Sequence, residues 1–110
     1  MAQFTVIGLG GFGSTVATEL VNLKHDVIGI DRNPSTIENN SYEHYICDVR
    51  DYEGLPQVQD VDILINNAGT IMRKPAAEHP DEYWDTIIDI NLNAQFIITR
   101  EIGKQMLANS

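Results

Sequence analysis

Short apolar runs alternate along this chain with amphipathic stretches, and the alternation predicts strands interleaved with helices. Phe4–Gly8 is an apolar run ending in a cluster of glycines, a first strand. From Gly11 to Leu23, Phe12, Val16, Ala17, Leu20 and Val21 recur at helical spacing. Val27–Asp31 is apolar until it ends in an acid and reads as a second strand. Asn33 and Pro34 resemble an N-cap and first helical residue, predicting a short helix to about Asn39. Tyr45–Asp48 reads as a third strand, Asp51 as the cap of a brief helical segment weakened by Gly54 and Pro56, and Val61–Asn66 as a fourth strand. After a loop over Thr70–His79, Pro80 and Asp81 open a last helical region to about Leu107, with a break near Asn91. There Ile87, Ala94 and Ile98 fall on one line and Ile88, Leu92 and Phe96 on another, as in a helix that packs on two sides.

Four strands, each followed by helix or a brief helical segment, predict an α/β three-layer sandwich whose half-size parallel sheet runs 3-2-1-4. Ligands of such sheets bind at the carboxyl ends of the strands, where the strand order reverses. Every chemical motif falls there. Gly8-Leu9-Gly10-Gly11-Phe12-Gly13 is G-x-G-x-x-G, set between a predicted strand and a predicted helix, with Asp31 about 20 residues on. In that Rossmann-like context Gly8 permits the tight turn, Gly10 leaves a pyrophosphate free to approach, and Gly13 lets helix and strands pack closely. The helix-start amides near Gly11, Phe12 and Gly13 offer hydrogen bonds and partial positive charge to phosphates. Asp31 would accept the adenosine ribose hydroxyls and repel a 2′-phosphate, favouring NAD over NADP; the neighbouring Arg32 softens that preference.

Composition narrows the partners. With 110 residues the chain suits one domain, Rossmann-like throughout, with no room for a separate substrate domain. A formal net charge of -9 argues against nucleic acid or an anionic membrane, so any phosphate must be held by local dipoles. The one cysteine, Cys47, excludes an internal disulfide and reads as a small buried residue. His25, His44 and His79 read as isolated surface or loop residues, and without a ligand spacing no metal is expected. No stretch is apolar for the roughly 18–20 residues of a membrane span, and the apolar start lacks a basic leader, so a cytoplasmic protein is expected.

Two resemblances enter here. Residues 3–31 resemble the RCK or TrkA-N nucleotide-binding domains that regulate potassium channels and transporters, which carry V-I-G-L-G-x-F-G and an acid ending strand two. That resemblance implies NAD(H) or an adenine nucleotide (ATP or ADP) as ligand, although Gly11 stands where many members have arginine. From about Tyr45 to Ala108 the chain is similar instead to short-chain dehydrogenases/reductases, the sugar-acid dehydrogenases above all. Cys47-Asp48-Val49-Arg50-Asp51, Val61-Asp62-Ile63-Leu64-Ile65-Asn66-Asn67-Ala68-Gly69 and Asp89-Ile90-Asn91-Leu92 carry it. It implies that Asp48 and Val49 flank an adenine, that Asn67, Ala68 and Gly69 line a cofactor ribose, and that Asn91 matches the asparagine of the catalytic tetrad.

The departures shape the remaining expectations. Short-chain dehydrogenases use T-G-x-x-x-G-x-G at the first turn, and their chemistry needs a tyrosine four residues before a lysine, with a serine. Four residues after Tyr42, Tyr45, Tyr52 and Tyr83 stand Ile46, Val49, Pro56 and Ile87. A tyrosine near its ordinary pKa of ~10 is a poor proton donor at neutral pH. The sequence therefore predicts an engineered chimera with its seam between about Arg32 and Tyr45, and no enzyme. The leading function is a non-catalytic NAD-binding module. A TrkA-N-type sensor, half of a dehydrogenase awaiting a complementing fragment, and a scaffold with no ligand stay open beside it. Apolar surface on the last helix and an uncovered strand-4 edge predict a homodimer.

Overall fold

The computed structural model describes residues 2–58, 60–70 and 72–108. Its strands are β1 (Gln3–Ile7), β2 (Asp26–Asp31), β3 (Tyr42–Ile46) and β4 (Ile63–Asn66). They form one parallel sheet in the order β3-β2-β1-β4, the order predicted. Helix α1 (Gly11–Asn22) follows β1, and α2 (Asp81–Ile88), a π turn (Asp89–Asn93) and α3 (Ala94–Ala108) follow β4. The break expected near Asn91 is that π turn, one wide turn set into an otherwise continuous helical run.

Side chains alternate across the sheet and split the core in two. Phe4, Val6 and Val27 pack with Leu9, Ala17 and Val21 on the α1 side. Ile7, Ile28 and Ile30 meet Ile98 and Ile102 of α3 on the other, joined by Cys47, Val58 and Val61. Two buried layers thus fix β1 and β2 from both faces, and their carboxyl ends become the rigid floor of the site.

The expected helices between β2 and β3 and between β3 and β4 do not form, because side chains there bond the backbone in turns. The Ser35 hydroxyl accepts the Ile37 amide and the Asn39 side chain accepts the Ser41 amide. Further on, Gly54 donates to both the carbonyl and the carboxylate of Asp51, a turn that Pro56 keeps from continuing. Strand β3 starts at Tyr42 rather than Tyr45, since an edge strand tolerates the polar Glu43 and His44. Only one line of the last helical run is buried: Ala94, Ile98 and Ile102 are inside, whereas Trp84, Leu92 and Phe96 are each more than 60% exposed or at that level. Packing on two sides is therefore not what these residues do.

Candidate functional site

The carboxyl ends of β1, β2 and β4 converge on an open cleft of about 250 Å³. Nine of the sequence-derived positions line it: Gly8 and Gly10 from the glycine turn, Asp31 and Arg32 from the end of β2, Asp48 and Val49 after β3, and Asn67, Ala68 and Gly69 after β4. Asn33, Thr70 and Ile90 line it as well, and the sequence reading had singled out none of them. Gly11 and Phe12 lie outside this lining, exposed on the first turn of α1, and Gly13 is buried beneath the turn.

Gly8 and Gly13 each have a steric reason. Gly8 adopts φ 91°, and a Cβ there would stand 2.6 Å from the Ala68 backbone. The β1 turn and the β4 turn therefore touch through bare backbone. Gly13 faces the Gly8 carbonyl, which also accepts the Asn67 amide at 3.1 Å. Gly10 is different: a Cβ there would meet nothing within 4 Å. Packing does not demand glycine at that position. Gly10 is also the N-cap of α1, without a side-chain cap, so the first-turn amides have no partner within the helix. With no acid in that turn, no side chain of the helix itself offsets the positive pole at this end.

Asp31 ends β2 with both carboxylate oxygens engaged. Oδ1 accepts the Leu9 amide at 3.1 Å and Oδ2 accepts the Asn33 amide at 2.9 Å. The carboxylate thus ties the glycine turn to the next corner, and each oxygen keeps a lone pair for a further donor. Asp48 is closed locally by Arg50, whose backbone amide and guanidinium both reach it. That hydrogen-bonded guanidinium holds the Asp48 carboxyl below the usual carboxylate range. Burial, reinforced by the charges of Asp51 and Asp48, pushes the Cys47 thiol up, and a thiol kept protonated is a poor nucleophile.

Asn91 sits in the π turn with its amide spent on a single residue. Its Oδ1 accepts the Thr70 amide at 2.8 Å and its Nδ2 donates to the Thr70 carbonyl at 3.0 Å. Gln95 adds a bond to the Ala68 carbonyl, so the helical run pins the β4 turn at two points. The histidines are not isolated. His25 accepts the Ala2 amide and meets the Phe4 ring, and His79 stacks edge-on against Tyr83. His44 lies between Tyr42 and the Asn33 carbonyl. Among the described residues no cluster of His, Cys, Asp or Glu is placed to hold a metal, and no helix is long and apolar enough to cross a membrane.

The sequence profile described as short chain dehydrogenase matches residues 4–110. A 2-dehydro-3-deoxy-D-gluconate 5-dehydrogenase of Pseudoalteromonas atlantica is 41% identical over 116 residues, covering 89% of this chain and 46% of that protein. A short chain dehydrogenase of Leptospira borgpetersenii solved with bound NAD+ superposes with a TM-score of 0.80 at 21% identity, over 90% of this chain and 43% of that one. The closed form of a serine dehydrogenase complexed with NADP+ gives 0.84 at 27% identity, over 94% and 48%. The chain spans about half the length of the curated relatives it matches.

Two expectations change. One profile runs unbroken through residues 32–45, so nothing supports a seam, an engineered origin or a TrkA-N portion. The reading that this is no enzyme is overturned, because the matching family and its named relatives are dehydrogenases. The missing Tyr-x-x-x-Lys pattern says only that these 110 residues do not carry it.

Proposed function

Because the chain belongs to the short chain dehydrogenase family, we propose that it is the cofactor-binding part of a dehydrogenase, holding NAD in preference to NADP and serving oxidation or reduction of a sugar acid. The observation that carries the cofactor is Gly10. It is a capless helix start with open space where a side chain would be, facing a cleft that ends in Asp31. The first-turn amides of α1 bind the diphosphate, Asp31 takes the adenosine ribose hydroxyls, and Asp48 and Val49 border the adenine. Asn67, Ala68 and Gly69 form the wall of the second ribose, and the Phe12 amide is among those of the first turn. The nicotinamide, when bound, supplies or accepts a hydride. Asn91 reaches that chemistry through Thr70 and the β4 turn, whose backbone it positions. A sugar acid is favoured by the 41% identity to a 2-dehydro-3-deoxy-D-gluconate 5-dehydrogenase. The protein is also proposed to be cytoplasmic and to form one domain.

Replacing Gly10 by Thr tests the cofactor assignment. Thr is as acceptable an N-cap as Gly, so stability should stay within about 0.5 kcal/mol. Its side chain would occupy the ligand's approach and cap the very amides the diphosphate needs, weakening NAD about 10- to 100-fold by calorimetric titration. Unchanged NAD affinity in that variant would refute the site, and tighter binding of ATP or ADP than of NAD would refute the ligand.

The homodimer is proposed on Trp84, Leu92 and Phe96, which leave a wide apolar stripe on the α2–α3 run beside Arg100 stacked over Phe96. The outer edge of β4, with Ile63 42% exposed, is the second possible contact. Light scattering should give twice the mass of one chain, and Phe96→Lys should lower it toward one. A single-chain mass at high concentration refutes the dimer.

A further inference from the structure

A parallel connection between neighbouring strands is ordinarily a helix that packs on the sheet and fixes the loop at its start. Between β2 and β3, residues 32–41 contain no helix, yet their first residues border the cleft. Something else must hold the corner. Asp31 closes one side by accepting the Asn33 amide. The other side is closed from β3: His44 Nε2 lies 2.8 Å from the Asn33 carbonyl oxygen, and its Nδ1 lies 2.7 Å from the Tyr42 hydroxyl.

A carbonyl can only accept, so Nε2 donates to Asn33, and in the neutral tautomer that leaves Nδ1 bare this nitrogen accepts the Tyr42 O–H. Tyr42 is suited to that role. Burial pushes its phenol up; a hydrogen bond with the Ser35 side chain acts against this and the charge of Asp31 with it, and the balance keeps the proton on the phenol. Its ring covers Gly29, the β2 residue opposite His44, and stacks on the imidazole at 5.9 Å between centroids. The imidazole is therefore held in orientation between the two partners, with its Nε2–H engaged by the Asn33 carbonyl at the corner.

Resting on the NAD reading above, we propose that His44, oriented by Tyr42, is a positioning residue for the Asp31–Asn33 corner and so a determinant of how strongly the site distinguishes the adenosine 2′-hydroxyl. It touches no cofactor atom. It replaces the missing crossover helix as the support that keeps Asn33, and with it the Asp31 carboxylate, facing the ribose.

The test compares NAD with 2′-deoxy-NAD, which lacks the hydroxyl in question. Titrations of the unaltered chain, His44→Asn and His44→Gln read the ratio of the two affinities. Asparagine places its amide near Nδ1 and cannot reach Asn33, whereas glutamine places an N–H near Nε2 and can. His44→Asn should reduce the preference for NAD over 2′-deoxy-NAD about 3- to 10-fold, with binding of the deoxy ligand nearly unchanged. His44→Gln should restore the preference to within about twofold. A merely structural role would weaken both ligands equally. That result overturns the proposal, as does an unchanged ratio in His44→Asn or no restoration by glutamine. If His44→Asn does not fold, Tyr42→Phe reads the same ratio and should shift it in the same direction, and no shift overturns the proposal. Failure of the unaltered chain to bind NAD at all is a separate outcome, which removes the cofactor reading and this inference together.

Discussion

Gly8→Ala should unfold this protein or come close to it. The residue sits at φ 91°, where an L-residue costs roughly 1–2 kcal/mol. Its new Cβ would stand 2.6 Å from both the amide nitrogen and the Cα of Ala68, which are backbone atoms with no rotamer to escape into. The β1 and β4 turns would have to part. Asn67 would then lose its bonds to the Ile7 and Gly8 carbonyls, which anchor the end of β4. The combined cost is about 3–5 kcal/mol, against a total of about 5–15 kcal/mol for a domain of this size. Urea unfolding of Gly8→Ala beside Gly10→Thr makes the contrast. The first should lose a large part of the stability and the second almost none, although both alter the same motif. Equal stabilities would show that the two turns do not meet as described.

Asp31→Ala should have the second-largest effect, and it falls mainly on binding. The carboxylate accepts two backbone amides, from Leu9 and Asn33, and in the proposed complex also receives the ribose hydroxyls. Charge-assisted bonds of this kind contribute about 1.5–3 kcal/mol each when made to a ligand. Their loss should weaken NAD about 100-fold. NADP should lose far less, because a repulsive charge beside its 2′-phosphate disappears while Arg32 remains next in sequence to pair with it. The NAD-to-NADP affinity ratio is thus expected to fall at least about tenfold, measured by titrating both. A parallel loss for the two cofactors would assign Asp31 to the fold alone. Since the side chain is half-buried, the stability cost should be modest, about 1–2 kcal/mol.

How much of this could be read from the chain follows from which forces are local. The sheet order was legible because strong apolar periods recur at β1, α1, β2 and β4, and because parallel connections permit few topologies. The glycine turn was legible because positive φ and close approach require glycine at Gly8 and Gly13, and Asp31 because it is the acid that ends β2 beside that turn. The connections between β2, β3 and β4 were not. Asn33-Pro34 signals a helix start, but the competing bonds of Ser35, Asn39 and Asp51 become visible only when their partners are placed. His44 was missed for a more instructive reason. Starting β3 at Tyr45 hid the fact that Tyr42 and His44 are two apart in one strand and so share a face. That spacing was the available signal. In the sequence Asn33 reads only as a helix cap, Ile90 only as part of Asp89-Ile90-Asn91-Leu92 and Thr70 only as loop; they reach the cleft because Asp31, Asn91 and the π turn bring them there. The similarity to a potassium-channel regulator arose from a glycine turn that dinucleotide folds share, so it misled about ancestry.

The contact between Gly8 and the β4 turn joins residues 59 apart in sequence, and it forms only when β4 has docked beside β1. A folding species built on the first β-α-β unit alone can therefore hold only one wall of the cleft, for the second arrives with β4. Parallel pairings of such long range are slow to form, since the entropy of closing the intervening chain is lost before the contacts compensate it. A dinucleotide spanning both turns would bind only the finished arrangement. Its concentration in the cell would then regulate the lifetime of the folded protein as well as its occupancy, by mass action.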